Sequence, residues 1–77
     1  MIDHGEVTAL TTRQFQMLCW ISAFIAENGF SPTTTEIGIG QNISTGSVFD
    51  MLAKLERKRA IRRTRGKARS IIVCDSL

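Results

Sequence analysis

A chain of 77 residues, 43% apolar and 22% charged, has the composition of one small globular domain, near the lower size limit for an independently stable core. Its two cysteines, Cys19 and Cys74, stand far apart with no CxxC spacing and no accompanying histidines, which argues against a zinc site or a disulfide framework and fits a reducing cytoplasm. No apolar run reaches the ~18 residues of a membrane span, and residues 1–10 lack the basic-then-apolar pattern of a signal peptide.

The net charge of +3 conceals an asymmetry. Residues 1–53 hold one basic residue, Arg13, against five acidic ones, whereas residues 54–77 hold nine basic residues against two acidic ones. A positive block of this kind is either a solvated face or the footprint of a polyanion.

In chain order, residues 1–9 have no periodicity and read as a flexible arm, followed by a domain over 10–74 and a tail over 75–77. His4, the only histidine, falls in the arm, a poor setting for catalysis or metal binding. Leu10 is placed to pack as a hydrophobic staple ahead of a first helix. Thr11 or Thr12 caps that helix, which runs to about Asn28 and stops at Gly29. Phe15, Leu18, Cys19, Ile21 or Ser22, and Ile25 are expected on its inner face, with Cys19 a small core residue and Trp20 and Phe24 widening that face. Phe30-Ser31-Pro32 forces an extended turn.

A short second helix begins at Thr33 or Thr34 with Glu36 in its first turn and Ile37 inward. Gly38 and Gly40 weaken it but allow another helix to come close. Asn42 suits a positive-φ turn. Ser44 then caps a third helix on which Val48, Met51, Leu52 and Leu55 form one apolar stripe. Its other face carries Thr45, Gly46, Ser47, Phe49, Asp50 and Lys54. Small hydrogen-bonding side chains near the N-terminus of such a helix suit entry into a DNA major groove. The final segment reads as a hairpin, with Ala60–Thr64 and Ser70–Val73 flanking the glycine-containing connection Arg65-Gly66-Lys67-Ala68.

The turn between the second and third helices has its own signature. Ile37 is followed by a small residue, Ile43 fills the elbow six residues later, and Val48 lies eleven residues after Ile37. Gln41 departs from the pattern, since an aliphatic residue usually stands there and a buried unpaired amide costs on the order of 1–3 kcal/mol. The expected fold is mainly α with a small β-hairpin: a winged helix-turn-helix of three helices and a two-stranded wing.

The series Leu10-Thr11-x-Arg13-Gln14, Asn28-Gly29-x-x-Pro32-Thr33-x-x-Glu36-Ile37 and Leu52-x-x-Leu55-x-Arg57-Lys58 resembles the N-terminal DNA-binding domain of LexA-type repressors, over about residues 9–73. The resemblance implies a winged helix-turn-helix that binds operator DNA, with Ser44, Gly46, Ser47, Phe49 and Asp50 at the reading positions. Two departures bear on this. The turn before the third helix is one residue shorter, and Phe49 replaces in part the family's acidic character, so the preferred operator need not be the family's. LexA repressors also carry a second, self-cleaving and dimerising domain, for which 77 residues leave no room; autoproteolysis is therefore not expected.

The expected function is a sequence-specific regulator of double-stranded DNA, a repressor acting by operator occupancy in a bacterial or phage-infected cell, in the cytoplasm and at the nucleoid. Thr45, Ser47 and Asp50 are candidates for base edges, and Phe49 either meets a thymine methyl, joins the core or contacts a partner. Arg13, Arg62, Arg63, Arg65, Gly66, Lys67 and Arg69 are candidates for backbone contact, with Arg65 and Lys67 at the wing tip suited to a narrow minor groove. Five to six neutralised phosphates would give a salt slope of about −5. A homodimer on DNA is expected because one small domain buries limited DNA-facing surface. No catalytic residue, metal site, cofactor, membrane contact or small-molecule substrate is evident. The alternatives are a protein-docking module and a non-specific nucleic-acid coat.

Overall fold

The computed structural model describes residues 10–74; the arm proposed for residues 1–9 and the tail over 75–77 lie outside them. Within the described residues, three helices are followed by a two-stranded antiparallel sheet: α1 (Thr12–Asn28), α2 (Thr34–Gln41), α3 (Thr45–Arg57), β1 (Ile61–Arg62) and β2 (Ile72–Val73). Among the described residues, no helix is long and apolar enough to cross a membrane.

Each helix begins where a hydroxyl side chain satisfies an N–H that the first turn leaves without a partner. Thr11 Oγ1 accepts from the Gln14 N–H at 3.1 Å, and the Gln14 side chain accepts from the Thr11 N–H at 3.1 Å. Thr33 and Glu36 repeat this reciprocal arrangement at 3.1 and 2.9 Å. Ser44 Oγ accepts from the Ser47 N–H at 3.2 Å. The stops are equally local: Gly29 takes φ 79 after α1, and Asn42 takes φ 59 after α2.

Met17, Leu18 and Ile21 of α1, Ile37 of α2, and Val48, Leu52 and Leu55 of α3 meet in one core, closed below by Ala60, Ile61 and Ile71. Leu10, Ile25, Ile43, Met51 and Val73 are partly buried against it. The expected α3 stripe is thus reproduced, with Met51 at its half-buried margin. Gln41 is also half-buried, and no buried side-chain polar atom among the described residues lacks a partner.

The inner face of α1 differs from the expected one. Phe15 is 56% exposed and Cys19 is exposed, while Met17 is fully buried and Gln14 is 6% exposed. Cys19 is therefore not a core residue. Apolar side chains occupy positions 17 to 21 without a break, so the pattern alone does not fix the helix's rotation. Gln14 resolves it: its Oε1 accepts from the Thr11 N–H and from Lys58 Nζ at 2.8 Å, so the amide can turn inward with its oxygen paired.

The strands are also shorter than the hairpin pattern suggested. Only Ile61 opposite Val73 and Arg62 opposite Ile72 are paired in register. Positive φ at Arg59 (63°) and Arg69 (54°) turns the chain shortly before each strand, and the Cys74 N–H adds one bond to the Ala60 carbonyl at 2.9 Å.

Trp20 and Phe24 are half-buried, their ring centroids 5.5 Å apart, and Phe30 meets Phe24 edge-on at 6.0 Å. The Trp20 indole lies so close over Gly40 of α2 that a Cβ at position 40 would overlap it. Gly40→Ala should therefore force the ring outward. Overpacking by an overlap of this size costs about 2 kcal/mol, the middle of its usual range, and helix propensity returns about 1 kcal/mol, so the net loss of about 1 kcal/mol should lower Tm by roughly 4–8 °C in a melt. Emission from Trp20, the sole tryptophan, should shift to the red; an unchanged melt and spectrum would refute the contact.

Candidate nucleic-acid interface

The first two turns of α3 point a low polar surface at solvent. Thr45, Gly46, Ser47, Phe49 and Asp50 are all exposed, as is the capping residue Ser44. The Ser44 hydroxyl donates to Ser47 Oγ at 3.1 Å, which leaves the Ser47 hydroxyl proton free to donate outward. Lys54 Nζ lies 3.1 Å from Asp50 Oδ2, one helical turn away, and both side chains are well exposed. Such a pair contributes roughly 0.3–0.5 kcal/mol, little enough to open for a better partner.

Cationic elements flank this surface on two sides. At the start of α1, Arg13 is exposed and borders a shallow depression with Ser47, Asp50, Met51 and Lys54. Across α3, Phe49, 49% exposed, borders a groove of about 350 Å³ whose opposite wall is the wing, including Arg65, Gly66 and Lys67. Thr33 and Thr34 at the start of α2 line its floor. Phe49 is thus neither core nor fully solvated, and Thr33 and Thr34 join the site unannounced. Pro32-Thr33 signalled a helix start in the sequence but not its position beneath the wing.

The wing tip turns at Gly66, φ 73, where a side chain would be strained. Ser70 fastens the loop: its hydroxyl accepts from the Thr64 N–H at 3.0 Å and lies 3.1 and 3.0 Å from the carbonyls of Thr64 and Lys67. Among the described residues the side chains of Arg65 and Lys67 have no protein partner.

Of the remaining expected cations, Arg63 and Arg69 also line the groove beside Phe49 but are paired with carboxylates, and Arg62 stands apart. Arg63 Nε lies 3.1 Å from Glu56 Oε1, and its side chain is only 17% exposed. Arg62 borders a separate depression with Arg59 and Cys74, apart from the N-terminal turns of α3. Arg69 directs both terminal nitrogens at Glu36, at 3.0 and 3.1 Å. Among the described residues, no group of three or more His, Cys, Asp or Glu side chains is arranged to hold a metal ion.

An exposed helix N-terminus raised on a helix-turn-helix, with a basic hairpin beside it, defines a winged helix-turn-helix DNA-binding domain. The chain belongs to the LexA DNA binding domain family, whose model matches residues 7–70. It is 45% identical over 65 residues to the LexA repressor of Anaeromyxobacter sp. (strain Fw109-5), a match covering 83% of this chain and 28% of that protein. LexA repressor 1 of Geobacter sulfurreducens is 46% identical over 63 residues, covering 80% of this chain and 31% of the relative. The LexA repressor of Finegoldia magna is 38% identical over 69 residues, covering 88% and 33%. The match therefore spans about a third or less of the length of these curated relatives.

Glu36 ties the site to pH. Its carboxyl is held below the usual value of 4.5, first by the Arg69 hydrogen bond and then by the Thr33 N–H. Because the folded value lies below the unfolded one, this stabilisation is present above pH 4.5 and disappears as pH falls through the lowered value. Glu36→Gln should remove that dependence: the stability gap between wild type and variant should narrow as pH is lowered past 4.5 and through the depressed folded value. Denaturant melts at each pH check it, and a constant gap would contradict it.

Proposed function

We propose that this domain reads an operator in double-stranded DNA and acts as a repressor by occupying it. The observation that carries the reading is the exposed N-terminal face of α3, set between Arg13 on one side and the Arg65–Lys67 wing tip on the other. In this arrangement α3 enters the major groove, where Thr45 and Ser47 meet base edges, Asp50 accepts from a cytosine amine, and Phe49 meets a thymine methyl. Gly46 supports close approach from outside. Nothing in the protein lies within 4 Å of where its Cβ would stand, so internal packing gives no reason for glycine there.

Arg13, Arg65 and Lys67 are the best placed for phosphates, with Arg62 a more distant candidate and Arg63 and Arg69 held by carboxylates. One domain offers a small DNA-facing surface, so two copies on a repeated or palindromic site are the expected bound form. The protein would then work at the nucleoid of a bacterial or phage-infected cell.

Selection of random duplexes at ~150 mM salt, against competing non-specific DNA, tests the reading. A recovered motif supports it, and the motif's symmetry reports the spacing of the two copies. Binding without enrichment that vanishes as salt rises would leave only a non-specific coat. Ser47→Ala and Asp50→Ala should change the preferred sequence. Arg65→Ala with Lys67→Ala should weaken all sites alike and flatten the salt slope by about 2; uniform losses from the α3 variants would overturn that helix's role.

A further inference from the structure

Nine of the ten cations fall between residues 54 and 69, and Arg69 is the last of them, at the root of the wing rather than at its tip. Three of its five guanidinium N–H groups are bonded within the protein, although the side chain stays 40% exposed. Both terminal nitrogens meet the two carboxylate oxygens of Glu36, at 3.0 and 3.1 Å, and one of them also donates to the Ser31 carbonyl at 3.0 Å. The same group lies over the Phe30 ring, 4.7 Å from its centroid. Two residues on, the Ile71 N–H donates to Ser31 Oγ at 3.1 Å, and both Ser31 and Ile71 are buried.

We infer that Arg69 is a positioning residue: it holds the wing against the start of α2 through Glu36 and Ser31, and so sets where Arg65 and Lys67 stand. The inference rests on the DNA-binding reading above. A planar, forked, aromatic-stacked guanidinium is the geometry that lysine cannot reproduce. It contrasts with Arg65 and Lys67, whose side chains meet no protein partner among the described residues. The wing's root is thus fastened to the turn between α1 and α2. The width of the groove between wing and α3 is then fixed indirectly, through the angle at which α2 meets α3.

Two conservative variants separate a latch from a phosphate contact. Glu36→Gln keeps an oxygen for the Thr33 cap but removes the carboxylate, freeing the Arg69 charge. Arg69→Lys keeps the charge and loses the fork. As a latch, each change should weaken binding to the selected duplex about three- to fivefold, in the range of an exposed ion pair. The double variant should lose no more than the worse single one, and the Ile71 amide should exchange faster in the free protein in every case. As a phosphate contact, Glu36→Gln would bind as tightly as wild type or more tightly, and R69K would bind as wild type. Those results, or additive losses in the double variant, would overturn the inference. Should selection return no duplex at all, the DNA reading fails by itself. Exchange at Ile71 in the free protein then decides the latch, and unchanged protection refutes it.

Discussion

The crossing of α2 and α3 is the constraint from which the rest follows. At Gly38 a Cβ would stand 3.0 Å from the Ile43 carbonyl oxygen and 3.6 Å from Val48 Cγ2, so α2 packs directly on the backbone of the turn and on a side chain of α3. Ile37 and Val48, both fully buried, seal the contact, and Ile43 fills the bend with its N–H bonded to the Gly38 carbonyl at 2.9 Å. Packing this tight has few alternative solutions. It determines how far α3 stands out from the body and hence which of its side chains are presented.

The other elements brace that crossing from two directions. From α1, Trp20 lies across Gly40, and Gln14 reaches Lys58 just beyond the end of α3. From the C-terminal side, Ile61 and Ile71 place the hairpin under the core, and the Ser31–Glu36–Arg69 cluster joins its root to the start of α2. The exposed face of α3 is therefore rigid by virtue of its buried stripe. The wing tip beyond Thr64 is held mainly by one serine hydroxyl. A firm polar helix face beside a lightly held basic loop fits the two tasks of the proposed DNA binding, sequence discrimination and backbone attraction.

Local signals made most of the fold legible. Hydroxyl residues before each helix, Gly29 and Asn42 after the first two, and the i, i+3, i+4, i+7 stripe of α3 are short-range features that one sequence displays in full. The inward side of α1 was not legible, because apolar residues ring that helix and Gln14 is buried only by virtue of Lys58, 44 positions away. Within the candidate site, the exposed face of α3 and the wing-tip turn could be placed from sequence. The commitments of Arg63 to Glu56 and of Arg69 to Glu36 could not. An arginine's charge is visible in sequence, but its partner is set by a tertiary contact, here seven and 33 residues distant.

Among the described residues, two of the three non-glycine residues with positive φ are arginines, Arg59 and Arg69. L side chains pay roughly 1–2 kcal/mol in that conformation, and glycine would relax both turns. Glycine at 59 would remove a cation next to the end of α3, and at 69 it would remove the side-chain bonds to Glu36 and Ser31 that help seat the wing. At 59, relief of backbone strain and retention of charge therefore pull in opposite directions, whereas at 69 the bonds to Glu36 and Ser31 offset the strain. A search for thermostable variants would drift towards glycine at 59 and away from charge there, so stability alone is a misleading criterion for improving this domain.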